Sequence, residues 1–343
     1  MIRSARLTAL PAVAVGGAAL WAYGIAVLQP LTEPDSRWWE MAQNSSYWAR
    51  DLRWGAIVAS CLALIVLAGG ARWPTRGVAA GGVGWIVVDL LMDRADPGRP
   101  ALPLTLGVGV LVVATAAVVC TRCGRRTSLR PPVLRTVAVI GVLSAISMLG
   151  VGSPSGGEPQ LPPTRLAVVL LHIVLAWIAT LTAAAPVAAS RAAATTGVAL
   201  GWVVLTVFFA HSPPDALVWL LLAGSGLFVA GIWSVGHPSA PAGLRAAVTI
   251  SGALIIPIMC MVIGYATIII GPDMTRMAGN ESLNGDEDML LGLAGVLAGL
   301  AVAWCGRAVS RLFAMSPQGC RSAEAGPDDG GVQVTLTLPV GDT

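Results

Sequence analysis

Two ionisable side chains lie well inside apolar stretches of this 343-residue chain: Asp89 in "GVAAGGVGWIVVDLLM" and His172 in "LAVVLLHIVLAWIATLTAAA". A charged group at the centre of a membrane helix costs about 2.5–3.5 kcal/mol on insertion scales, so such residues are functional candidates by default. A carboxylate and an imidazole are also groups that take up, hold and pass a proton. Trp85 precedes Asp89 by four residues and shares its helix face, and Thr180 follows His172 on roughly the same face. His211 and Asp215 flank the turn "HSPPD". These six residues are the expected substrate- or proton-binding set, with Asp89 and His172 facing each other across a cavity. The plainer alternative is an aspartate that reaches the outer interface and a histidine that bonds a nearby carbonyl.

Other motifs point to no chemistry. Cys120-Thr-Arg-Cys123 has C-x-x-C spacing, but a zinc site needs two further nitrogen or sulfur ligands and no second pair follows. Met259, Cys260 and Met261 are soft ligands for copper(I), yet adjacent residues on a helix point in different directions. "GNESLNGDEDM" lacks the residue order of a calcium loop. There is no H-E-x-x-H, G-x-S-x-G or phosphate loop. The expectation is a protein that is not an enzyme and that uses no metal or cofactor.

A second feature is aromatic. "SRWWEMAQNSSYWARDLRWG", residues 36–55, holds four of the twelve tryptophans. Read as a helix, residues 37–53 align Trp38, Met41, Ser45, Trp48 and Leu52 on one stripe, with Arg37, Glu40, Arg50 and Asp51 off it. That pattern predicts a short helix lying flat in the outer head-group region and leading into a membrane span at Trp54.

The elements that must position these residues are membrane helices. Hydrophobic residues make up 55% of the chain and charged residues 11%, with a mean hydropathy of +0.76. A soluble fold of this size has too little interior to hide so much apolar surface. Ten apolar segments are expected to cross: 7–28, 54–71, 77–92, 101–120, 136–152, 166–187, 196–211, 216–235, 246–271 and 289–306. All basic residues are arginine. With the N-terminus inside and ten crossings, fourteen arginines fall in inner segments and seven in outer ones. Dropping the short third segment would reverse the bias, so the positive-inside rule favours ten spans. The arginine-rich loop "TRCGRRTSLRPPVLR" is then an anchor on anionic lipid head groups.

The expected fold class is therefore an all-α, polytopic integral membrane helix bundle with about ten transmembrane helices and both termini cytoplasmic. Residues 1–312 form the bundle. If it is built from two halves, 1–152 and 153–312, five spans each would make them inverted repeats. Gly295-x-x-x-Gly299 and Gly77-x-x-x-Gly81 are expected to bring helices into close contact inside the protein. Residues 313–343 read as a disordered cytoplasmic tail. Within it Val332, Val334, Leu336 and Leu338 alternate with polar residues, as a strand added to a protein partner would.

The layout of ten short helices resembles that of the drug/metabolite transporter superfamily, in architecture alone. The leading functional expectation is a secondary-type transporter or exporter of a small molecule, with proton coupling as one source of energy. The alternatives are a non-catalytic membrane partner of a larger transport or secretion system, and an intramembrane enzyme acting on lipid-linked substrates. The partners expected are the lipid bilayer and a small-molecule substrate. A net charge of +3 over short loops makes no nucleic-acid groove. Residue usage fits a GC-rich bacterium, which places the chain in the cytoplasmic (plasma) membrane.

Overall fold

The computed structural model describes residues 2–32, 47–152, 158–184, 193–194, 196–201, 204, 229–233, 242–279 and 290–314. All regular structure among them is helical. The long helices are α1 (Ile2–Tyr23), α2 (Trp48–Leu67), α3 (Arg72–Ala95), α4 (Leu102–Arg126), α5 (Pro131–Leu149), α6 (Leu161–Ala183), α7 (Ala242–Met277) and α8 (Leu291–Ala314). Among the described residues seven helices are long and apolar enough to cross a membrane. The exception is α2, whose first two turns carry Arg50, Asp51 and Arg53. The all-helical membrane class expected from composition is therefore met. Most of the expected spans 196–211 and 216–235 lies outside the described residues, as does the tail from residue 315.

Helix α2 is the centre of the bundle. Every residue from Trp48 to Leu67 except Cys61 is buried. It packs against α1, α3, α4, α5 and α6, as a helix apolar on all faces beyond its first two turns must. Small residues allow the closest approach. Gly17 of α1 sits against Ser60 and the Ala56 carbonyl of α2. The Ser60 hydroxyl donates across the contact to the Ala14 carbonyl at 2.9 Å. Small-residue crossings bridged by a hydroxyl are the usual glue where lipid removes the hydrophobic drive between helices.

Chain direction gives the bundle two chemically distinct ends. A tight turn joins α2 to α3, with Gly69 and Gly70 at φ 65° and 73°, a left-handed conformation that closes helix ends. The Gly69 carbonyl accepts the Arg130 N–H at 3.0 Å, so the start of α5 lies beside this turn. Arg72, Arg76, Arg126 and Arg130 belong to this basic end. At the opposite end α1 finishes, α2 begins, α3 finishes, α7 finishes and α8 begins. Thr275 of α7 bonds Arg50, and Gly292 of α8 lies against Asp51 and Trp54 of α2. From there α8 runs back along α5, with Gly295 on Ser144 and Gly299 on Ile140.

The glycine expectation thus holds for Gly295 and Gly299, where an added Cβ would meet the α5 backbone. It fails for Gly77 and Gly81, which have nothing within 4 Å. They lie on the outward face of α3, which the neighbouring helices leave uncovered. Residues 304–343 form a second compact unit, of which only the last turns of α8 are described.

Candidate functional site

The end opposite the basic one holds five charged side chains in the protein interior, Arg50, Asp51, Arg53, Asp89 and Asp93, and all but Asp51 form one lattice. Arg50 and Arg53 lie one turn apart on α2, and Asp89 and Asp93 one turn apart on α3. Spacings of three and four residues put each pair on one helix face. The antiparallel turn between α2 and α3 brings the two faces together. Arg50 and Asp89 are 1% and 0% exposed, Arg53 and Asp93 0% and 2%.

The pairing is dense and directional. Arg53 Nε donates to Asp89 Oδ1 at 2.8 Å, and Arg53 Nη2 donates to Asp89 Oδ2 at 3.3 Å and Asp93 Oδ1 at 2.7 Å. Its Nη1 donates to the side-chain carbonyl of Gln29. Arg50 Nε meets Asp93 Oδ2 at 3.0 Å, and its Nη1 donates to the Thr275 hydroxyl at 2.9 Å. The Arg50 guanidinium carbon stands 4.7 Å from the centroid of the Tyr47 ring, within cation–π range. Two indoles complete the shell: Trp21 Nε1 donates to Asp89 Oδ1 at 2.7 Å and Trp54 Nε1 to Asp89 Oδ2 at 2.8 Å. Each oxygen of Asp89 therefore accepts two N–H groups, which matches the acceptor capacity of an ionised carboxylate.

Local irregularity in α1 delivers Gln29. The helix changes to a π-turn over Gly24–Leu28 before its final turn Gln29–Thr32. Such bulges recur where a helix must re-aim a side chain. Gly24 faces the Arg53 stem, where a Cβ would collide with it. One position before Leu52, Asp51 Oδ1 accepts the Gly292 N–H at 3.2 Å, and so places a carboxylate at the N-terminal end of α8, where the helix dipole favours negative charge.

The expected site residues fall in different places. Asp89 is in the cluster. Trp85 lies beside it, edge-on to Trp21 with centroids 5.4 Å apart. His172 is fully buried on α6, and its Nδ1 contacts the Val168 carbonyl at 2.9 Å. No Asp89–His172 hydrogen bond is formed, and α3 and α6 do not pack as neighbours; each leans on α2. The expected pairing across a cavity is thus replaced by Asp89–Arg53. The Thr180 hydroxyl turns back onto the Ala176 carbonyl at 2.7 Å. His211 and Asp215 lie outside the described residues.

The flat interfacial helix is corrected where it is described. Residues 48–53 run unbroken into α2, and Trp48, Leu52 and Trp54 are 1%, 2% and 0% exposed. The described part of the stripe, Trp48 and Leu52, is packed inside the bundle, because Arg50 and Arg53 beside it find partners there instead of water. Trp38 and Met41 lie outside the described residues.

Sequence reasoning missed Arg50, Arg53, Asp93, Trp21, Gln29 and Thr275. It placed both arginines and Asp93 in outer loops, since hydropathy windows end where charge begins. The signal was Arg50-x-x-Arg53 and Asp89-x-x-x-Asp93, two pairs of opposite sign at helical spacing on consecutive spans. Comparison with protein-family models, curated proteins and solved structures found no match to this chain. The fold and site define the class, a multi-pass helical membrane protein with a buried, charge-balanced Arg–Asp lattice.

Proposed function

We propose that the chain is a secondary-type transporter of a small molecule in a bacterial cytoplasmic membrane, with the Arg–Asp lattice as the gate at one end of its path. The observation that carries this reading is the burial of Arg50, Arg53, Asp89 and Asp93 at 0–2% exposure within a bundle of membrane-length helices. Buried ion pairs are weak contributors to stability compared with apolar packing, and intramembrane charges mark substrate and ion pathways. The lattice ties together the ends of α1, α2, α3 and α7, the helices that must part for that end to open. A proton or a charged substrate that takes the place of one partner frees the other and loosens all four. The arginine bias supports placing the basic end in the cytoplasm, so the lattice closes the outer end.

The test is a flux measurement. The full chain, reconstituted in liposomes loaded with a pH-sensitive dye, is challenged with amino acids, sugars, organic cations and organic anions under imposed pH gradients of both signs. At least one class moves protons or is itself accumulated, and Asp89→Asn abolishes that movement while the protein stays folded. An inert wild type under every condition refutes the transporter reading and leaves the lattice as a clamp in a non-catalytic membrane subunit.

A further inference from the structure

The basic end carries a second feature that the lattice does not use. A cavity of about 600 Å³ opens between the start of α3 and the end of α4, lined by Arg72, Trp73, Arg126, Thr127, Ser128 and Arg130 among others. The three guanidinium groups belong to exposed residues, and none is paired with a carboxylate among the described residues. No acidic residue lines the cavity. Trp73 is 79% exposed, with the Arg76 guanidinium 5.6 Å from its ring centroid. An exposed tryptophan beside arginines is the composition of a membrane–water boundary.

The surfaces that lead from this cavity into the membrane are bare. Gly77 and Gly81 follow Trp73 at four-residue intervals on α3 with nothing within 4 Å. Val118 and Val119, two turns before Arg126 on α4, are 50% and 52% exposed. Helices α3 and α4 do not pack as a pair; one leans on α2 and the other on α1. Unopposed arginines and hydroxyls thus stand at the head of two bare apolar helix faces, that of α3 without side chains at Gly77 and Gly81.

We propose that this cavity binds an anionic phospholipid, with its phosphate held by Arg72, Arg126 and Arg130 and an acyl chain lying along the glycine face of α3. Arginine matches phosphate because its fork donates two parallel N–H bonds. Basic pockets between helices at the cytoplasmic face are the usual seats of acidic head groups. The bare face of α3 beyond the cavity favours a lipid over a free phosphate, which has no use for it.

Native mass spectrometry of the detergent-purified full chain tests this. The protein is offered equal amounts of phosphatidylglycerol and phosphatidylcholine, with and without glycerol phosphate. Wild type retains phosphatidylglycerol in preference. The variant Arg72→Gln/Arg126→Gln/Arg130→Gln loses about a hundredfold in retention, at about fivefold per arginine. Arg94→Gln/Arg99→Gln/Arg245→Gln, which removes equal charge from exposed residues that do not line the cavity, loses far less. Trp73→Ala keeps every charge and weakens retention, so the result does not depend on the triple variant alone. Equal losses in the two triple variants overturn the proposal in favour of diffuse surface charge. Displacement by glycerol phosphate at the lipid's own concentration overturns it in favour of a soluble anion.

Discussion

Replacing Arg53 by glutamine removes the residue that joins three parts of the lattice. Asp89 would keep the indole donors of Trp21 and Trp54, and Asp93 would keep Arg50. The cluster of two arginines and two aspartates would then carry one uncompensated negative charge at zero exposure. Breaking a buried pair from one side costs about 3–5 kcal/mol. Asp89→Asn breaks it from the other side and also leaves an amide N–H₂ among N–H donors, since all four groups aimed at Asp89 donate. The double variant Arg53→Gln/Asp89→Asn restores charge balance. Its loss should fall short of the sum of the single losses by about 2 kcal/mol, within the range seen for residues in one network. Unfolding by sodium dodecyl sulfate in mixed micelles, followed by tryptophan fluorescence and circular dichroism, gives all four corners of the cycle. Single losses that add to within about 0.5 kcal/mol would mean that the two sites act independently, and the lattice would not be the interacting unit inferred from its geometry.

Other outcomes follow from the same contacts. Trp54→Phe removes one donor from Asp89 Oδ2 without changing charge and should cost about 1–3 kcal/mol in the same assay; Trp85→Phe, whose indole is not in the lattice, should cost less. Gly295→Leu and Gly299→Leu push a side chain into the α5 backbone and should destabilise by about 1–3 kcal/mol or more, whereas Gly77→Leu and Gly81→Leu should stay within about 0.5 kcal/mol. Brominated lipids should quench a single-tryptophan protein retaining Trp73 and leave one retaining Trp48 or Trp54 unquenched. A cysteine at Ser128 should react with an impermeant thiol reagent only from the cytoplasmic side, in a background without other cysteines; labelling from outside would reverse the proposed orientation.

The class of fold was legible because its cause is bulk composition. Long apolar runs have one stable home, and the helices over the first six expected segments lie where hydropathy puts them. Helix ends were less legible. Hydropathy assigns Arg50, Arg53 and Asp93 to loops because it scores each residue against water, and it has no means of seeing that each will be neutralised by another. Trp48 and Trp54 mislead for a related reason: an indole suits a head-group boundary and a carboxylate's shell equally well, and only the partner decides. His172 illustrates the opposite situation. A lone ionisable residue in a span draws attention, yet its Nδ1 is met by the carbonyl one turn back. Asp89 pairs with Arg53 and not with His172, and nothing in one sequence says which helices are neighbours beyond those joined by short turns. The α2–α3 turn is such a case, and reading the charges across it would have identified Arg53.

The lattice also bears on how the chain is made. Of the seven span-length helices among the described residues, α3 has the lowest mean hydropathy, 1.3, and it carries Asp89 and Asp93. It emerges from the ribosome directly after α2, whose arginines already wait at the far end of the hairpin. Helix α3 entering lipid alone would expose two carboxylates, and α2 alone two guanidiniums. Entering as a joined pair, each masks what the other cannot leave in hydrocarbon. The short Gly69–Gly70 turn then does more than link two helices: it sets the two sets of charges at matching depth along the hairpin, so that a hairpin entering lipid as one unit would carry its charges already paired.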